Sequence, residues 1–158
     1  MRTEACAQSR PMRHWKRLGC MGQVKELLAK RFDHILLSLG GSGIWGPDDT
    51  CSAGTRNIIN ALKDVEKKPR IILCSSIGVS ESKPDVNCFI RWMLKYPLAD
   101  KDIQEADLRA SGLPLVIVRP ARLLDLPPRG LTNVKVWERG AITVNMISRA
   151  DTAAFMIA

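Results

Sequence analysis

The sequence predicts an α/β fold built on a mainly parallel sheet, and three observations carry that reading. Unbroken apolar runs at Ile35–Leu37, Ile71–Cys74 and Leu115–Val118 are too short for buried helices and read as strands covered on both faces. Amphipathic stretches lie between them, long enough to be crossover helices, which implies parallel strands joined by right-handed connections. Each run also ends at glycine, serine or proline, where the backbone leaves the sheet.

The composition bounds the protein class. A chain of 158 residues, 46% hydrophobic and 25% charged, is one domain's worth and can bury a core. No run approaches the roughly 18 apolar residues needed to cross a bilayer, and no apolar segment lies among the N-terminal charges. A soluble, intracellular and by default cytoplasmic protein is therefore expected. The net charge is +8, and half of it comes from Arg2, Arg10, Arg13, Lys16 and Arg17 against Glu4 alone. Residues 1–20 read as a basic, disordered leader, for which organelle targeting stays open. Such charge suits phosphorylated ligands. Nucleic-acid binding is disfavoured because Trp15 is the leader's only aromatic, and a nucleic-acid surface interleaves aromatics with its cations. Five cysteines without a C-x-x-C pair, and two histidines near none of them, indicate neither a disulfide scaffold nor a metal site. Oligomeric state and substrate are not set by these residues.

Residues Gly22 to Phe32 place Val24, Leu27 and Leu28 at helical spacing, and the strand from Ile35 to Leu39 follows. It stops at Gly40-Gly41-Ser42-Gly43. Glycines at a strand end admit close approach of a ligand to the backbone, and a plain flexible loop has the same composition. Pro47-Asp48-Asp49-Thr50 starts a helix, with the aspartates as its caps and an inward stripe of Ile58, Ile59, Leu62 and Val65, running to about Lys67. The strand Arg70–Cys74 opens onto Ser75-Ser76-Ile77-Gly78. In open α/β sheets ligands sit just beyond such strand ends, which makes this the most functional-looking position in the chain.

A helix from Val86 to Lys95 is predicted to end at Tyr96-Pro97, and another from Asp100 to Ser111 to carry Ile103, Ala106 and Leu108 inward before Gly112 stops it. The third strand, Leu113–Val118, closes at Arg119-Pro120-Ala121-Arg122. Pro127 to Gly130 is a turn, and 135–138 and 143–147 are short strand candidates. Ser148 to Asp151 resembles a capping box that opens a final helix.

Seven segments, in order, then carry a resemblance. They are Leu-Gly-Gly at 39 to 41, Gly-Thr-Arg-Asn-Ile-Ile-Asn-Ala at 54 to 61, Ser-Ser-Ile-Gly-Val at 75 to 79, Lys-x-x-x-Glu at 101 to 105, Leu-Arg-Ala-Ser-Gly-Leu at 108 to 113, Ile-Val-Arg-Pro-Ala-Arg-Leu at 117 to 123 and Ile-Ser-Arg-Ala-Asp-Thr-Ala at 147 to 153. From Gly22 to Ala158 the chain resembles the NAD(P)-binding Rossmann family of atypical short-chain dehydrogenases, especially its NmrA-like and biliverdin/flavin reductase-like members. The resemblance implies a partial Rossmann-like three-layer fold over residues 21–158. It also implies a dinucleotide cofactor, NADP in preference to NAD, and a small-molecule acceptor.

Residue by residue, the resemblance places Gly40, Gly41 and Ser42 beside the adenosine and its ribose. Ser75 and Ser76 fall near the nicotinamide, where a serine orients the substrate carbonyl. Lys101 falls on the nicotinamide ribose, and Arg119, Pro120 and Ala121 lie with their backbone against the nicotinamide end. Ser75, Ser76 and Lys101 are thus the catalytic candidates. Read without the resemblance, the serines are turn formers, Lys101 and Glu105 are a surface ion pair, and Arg119 and Arg122 are solvated cations or phosphate contacts.

Two departures qualify the resemblance. Nothing in residues 1–20 supplies the family's first strand and glycine-rich turn, so the first βαβ unit is expected to be missing and cofactor binding weak. The family's catalytic tyrosine falls four residues before the lysine, where this chain has Pro97. Tyr96 is a substitute only if a break at Pro97 re-aims it. The expectations are an NAD(P)H-dependent oxidoreductase or a fragment of one, and alternatively a non-catalytic NmrA-like dinucleotide sensor or interaction module.

Overall fold

In the computed structural model, which describes residues 19–28, 30, 32–41, 43–137 and 146–158, the three apolar runs form strands. These are β1 (His34–Leu37), β2 (Arg70–Cys74) and β3 (Leu115–Val118), all parallel and in the order β1-β2-β3. Helix α1 (Gly19–Leu28) precedes β1, α2 (Thr50–Leu62) joins β1 to β2, and α4 (Lys95–Ala110) enters β3. The predicted α/β architecture with a parallel sheet is the one observed.

Period-two alternation builds the core. Ile35 and Leu37, Ile71 and Leu73, and Leu115 and Ile117 share one face. There they meet Leu28 of α1, Ala61 and Leu62 of α2, and Leu108 of α4 in a single cluster. Leu62, Ile71, Leu73 and Leu108 are the fully buried anchors, each worth about 1.5–3 kcal/mol of burial.

The opposite face departs from expectation. Leu36, Ile72 and Val116 align in one row across the sheet, yet Leu36 is 45% and Val116 44% exposed. Continuous apolar runs predict cover on both sides, but all three helices contribute to the same cluster on the other face. Among the described residues β1 also has no strand partner on its outer edge.

Two helix boundaries are corrected. In place of one helix from Val86, a 3-10 helix at Ser80–Asp85 is followed by α3 (Cys88–Met93), whose Asn87 cap accepts the Phe89 amide. Tyr96-Pro97 does not end a helix, because α4 begins at Lys95 and runs straight through it. A first-turn proline gives up only an N–H that has no partner within the helix. The inward face of α4 also differs from prediction: Ile103 and Ala106 are exposed, while Leu98, Asp100, Gln104, Glu105 and Leu108 are buried. Gly112, at φ +70°, ends the segment as expected.

Beyond β3, the strand β4 (Arg122–Leu124) pairs in parallel with β5 (Met146–Ser148), and α5 (Arg149–Ile157) follows. The capping box forms, with Ser148 Oγ accepting the Asp151 amide at 2.9 Å. The Asp151 carboxylate in turn accepts the amides of Arg129 and Gly130, which fastens the predicted turn. These amides hold its carboxyl below the usual range. Residues 135–137 are irregular rather than a strand. Residues 1–18, Glu138 and 143–145 lie outside the described residues, as does Ser42.

Threonine at Leu36 or Val116 is expected to shift unfolding free energy by no more than about 0.5 kcal/mol, as at surface positions. Leu73→Ala on the core face should cost about 2–5 kcal/mol. Urea denaturation separates the two, and a Leu36 penalty as large as that of Leu73 would mean that this row is covered.

Candidate functional site

The carboxyl ends of the three strands face one stripe of α4, made by Asp100, Lys101, Gln104, Glu105 and Leu108 at helical spacing. Lys101 Nζ donates to Leu39 O at 3.3 Å and Cys74 O at 3.2 Å, the carbonyls at which the chain leaves β1 and β2. An ammonium has three protons, so one remains for a ligand lying over the strand ends.

Glu105, with no solvent exposure, accepts Ser75 Oγ at 2.5 Å, Arg119 Nε at 3.0 Å and Arg119 Nη2 at 2.6 Å. Burial alone pushes this carboxyl up. The Arg119 and Ser75 hydrogen bonds more than offset it and hold the group below its ordinary range. The Glu105 bond likewise raises the Arg119 guanidinium. Arg119 also reaches Glu81, which pairs with Arg109. The strand exits run side by side: the Ser75 amide donates to Val118 O at 2.8 Å and the Ile77 amide to Pro120 O at 3.1 Å. Gly78 then turns at φ +89°, a conformation that favours glycine.

Asp100 is buried and accepts the amides of Cys51 at 2.8 Å and Ser52 at 3.1 Å. It therefore caps α2 from another helix, while the local Asp48 binds the amide and hydroxyl of Thr50. The N-terminus that follows the glycine loop already carries a carboxylate, so these two amides are not available to a phosphate. Burial pushes the neighbouring Cys51 thiol up to about 11, which keeps it neutral.

Ser75, Ser76, Lys101, Arg119 and Pro120 come together around the ends of β2 and β3. Ser76 is half-buried and donates to Ile77 O at 3.1 Å, whereas the Ser75 hydroxyl is spent on Glu105. Ala121 is half-buried beside the buried Pro120. Gly40 and Gly41 are exposed at the end of β1, and a Cβ on Gly40 would meet nothing within 4 Å. The surface pair of Lys101 with Glu105 is not formed, because Glu105 turns inward to Arg119. On the unbroken α4, Tyr96 stands about 140° around from Lys101, and Pro97 only about 40°. The break required to re-aim Tyr96 is absent, and Lys95 Nζ lies 4.7 Å over its ring. Reading the residues alone did not anticipate Asp100 as a cap or Glu105 as a buried partner. The available signal was their shared spacing with Leu108.

A groove of about 440 Å³ opens beside Gly78, lined by Lys83, Arg91, Trp92, Leu98 and Asp102 among others. Lys83 and Asp102 pair across it at 2.7 Å. Among the described residues no group of His, Cys, Asp and Glu could hold a metal ion.

Residues 21–158 match the model of a family described as NAD(P)H-binding. No curated protein matches the chain. Among solved structures it is similar to ChuY, an anaerobillin reductase from Escherichia coli O157:H7, at TM-score 0.73 and 22% identity over 87% of this chain and 62% of that one. It is similar to a protein described as an NAD-dependent epimerase/dehydratase from Bacillus halodurans, at TM-score 0.63 and 24% identity over 82% and 57%. A short-chain dehydrogenase/reductase from Veillonella parvula aligns at TM-score 0.60 and 13% identity over 87% and 58%. At these identities the likeness is one of fold. The chain spans about three fifths of the length of these structures.

Glu105→Gln should cost about 3 kcal/mol, since it removes one partner from a buried ion pair. The depressed Glu105 carboxyl contributes stability that is complete above its ordinary value of 4.5 and is lost as pH falls through the lower folded value. Thermal unfolding between neutral pH and pH of about 3 should therefore fall less steeply in the variant. Equal slopes would mean that folding does not shift the Glu105 carboxyl.

Proposed function

Because the chain belongs to the NAD(P)H-binding family, we propose that it holds a nicotinamide dinucleotide, NADP in preference to NAD, across the carboxyl ends of β1, β2 and β3 and serves its reaction with a small-molecule acceptor. The observation that carries this reading is Lys101, whose ammonium sits over two strand ends with a proton to spare. When bound, the cofactor supplies a hydride. The chain's own residues position the reactants: Lys101 donates to a ribose hydroxyl, and Ser76, by exchanging its local bond to Ile77 O, orients an acceptor carbonyl. The backbone of Arg119, Pro120 and Ala121 forms the wall of the nicotinamide end. The groove beside Gly78 gives the acceptor room. Proximity and orientation are the main contributions.

The residues present fit the two ends of such a ligand unequally. The strand ends suit a ribose and a flat ring. For the pyrophosphate, the helix N-terminus that follows the glycine loop is a poor site, since Asp100 occupies two amides of α2. A second reading, a non-catalytic dinucleotide sensor or interaction module, is favoured by Pro97, which stands nearly in line with Lys101 and has no proton to give.

Titration of NADPH fluorescence should give a dissociation constant weaker than the micromolar range; a micromolar value would contradict the expected weak binding. NADPH oxidation with flavin or quinone acceptors then separates the readings. Turnover that falls at least about tenfold in Lys101→Ala, with the circular dichroism spectrum unchanged, supports the oxidoreductase. Binding without turnover in the wild type supports the sensor.

A further inference from the structure

Helix α3 holds four large apolar side chains in six residues, and none of its residues is buried. Phe89 is 65% and Trp92 68% exposed, and their rings are stacked with centroids 6.1 Å apart. At about 100° per residue, Phe89, Ile90, Trp92 and Met93 fall within one arc of about 160°. Cys88 and Arg91 lie on the other side and line the groove with Lys83 and Lys95. A small molecule in that groove would touch Trp92 and leave Phe89, Ile90 and Met93 in water. A contiguous apolar patch of this kind needs a larger cover.

Charge selects the cover. From Val86 to Ala99 the chain contains Arg91 and Lys95 and no acidic residue, within a protein of net charge +8. Among the described residues neither cation forms an ion pair, and Lys95 lies over Tyr96 instead. Two copies meeting through this patch would bring two strongly basic molecules together, whereas an anionic surface would attract this one. Aromatic rings that sit at headgroup depth beside lysine and arginine are the chemistry of interfacial attachment. Such attachment requires no span, and among the described residues no helix is long and apolar enough to cross a membrane.

We propose that α3, with Lys95 and Tyr96, docks this protein peripherally on an anionic lipid surface. Phe89, Trp92 and Met93 enter the boundary of the acyl chains, Lys95 meets the lipid phosphates, and Arg91 faces the headgroups from the polar side of the helix.

The test is co-sedimentation of the full chain with vesicles of phosphatidylcholine alone and with roughly a third phosphatidylserine. The anionic vesicles should bind at least about tenfold more tightly, with binding that weakens as salt rises. The double variant Phe89→Ser/Met93→Ser changes only exposed residues and keeps every charge, including those of the N-terminal leader. It should lose about tenfold in affinity. Brominated lipid should quench tryptophan emission in the wild type and much less in Trp92→Phe. Three results would overturn the proposal: no preference for anionic vesicles, wild-type binding by the double variant, or a dimer in sedimentation that the same variant abolishes. The last would assign the face to a second copy.

Discussion

A carboxylate without solvent contact must be paired, and the need to pair Glu105 organises this end of the molecule. Taking an ion out of water costs several kcal/mol even after relaxation, and only well-aligned partners offset it. Here the partners are the two-pronged guanidinium of Arg119 and the Ser75 hydroxyl, one from the exit of β3 and one from the exit of β2. The same carboxylate therefore fixes the spacing of the two exits and their distance from α4. It also commits the Arg119 guanidinium to carboxylates, Glu105 and Glu81.

The rest of α4 repeats that device one helical step at a time. Asp100 holds amides at the start of α2, Lys101 holds the carbonyls of Leu39 just beyond β1 and of Cys74 at the end of β2, and Gln104 donates to Thr55 inside the packing of α2 on α4. Leu98 and Leu108 bracket this polar stripe. One rigid rod thus sets the register of four other elements, which is possible only because Pro97 falls in the first turn and leaves the rod unbroken.

The arrangement explains what could be read from sequence. The strands and their parallel direction were legible because apolar runs between amphipathic stretches leave few topologies, and the resemblance added expectations for Lys101 and the serines. The α4 face was misread because a hydrophobic criterion selects Ile103 and Ala106, while burial there is decided by hydrogen-bond partners more than 40 residues away in some cases, as for Asp100 with Cys51. The extent of α3 failed for the reverse reason: Phe89, Ile90 and Met93 look like core, and nothing local says that no core faces them. The open row of Leu36 and Val116 was hidden for the same cause, since strand composition records the cover a sheet is suited to rather than the cover it has.

Under the proposed reading, the two ends of the site separate orientation from affinity. Much of the strength with which a dinucleotide is held comes from charge-assisted bonds to its phosphates, and two amides at the start of α2 that could contribute such bonds are bound to Asp100. Orientation comes from the strand ends, where Lys101 is held by neutral carbonyls and has no carboxylate partner among the described residues. An ammonium placed in this way keeps its field directed at whatever lies over the sheet.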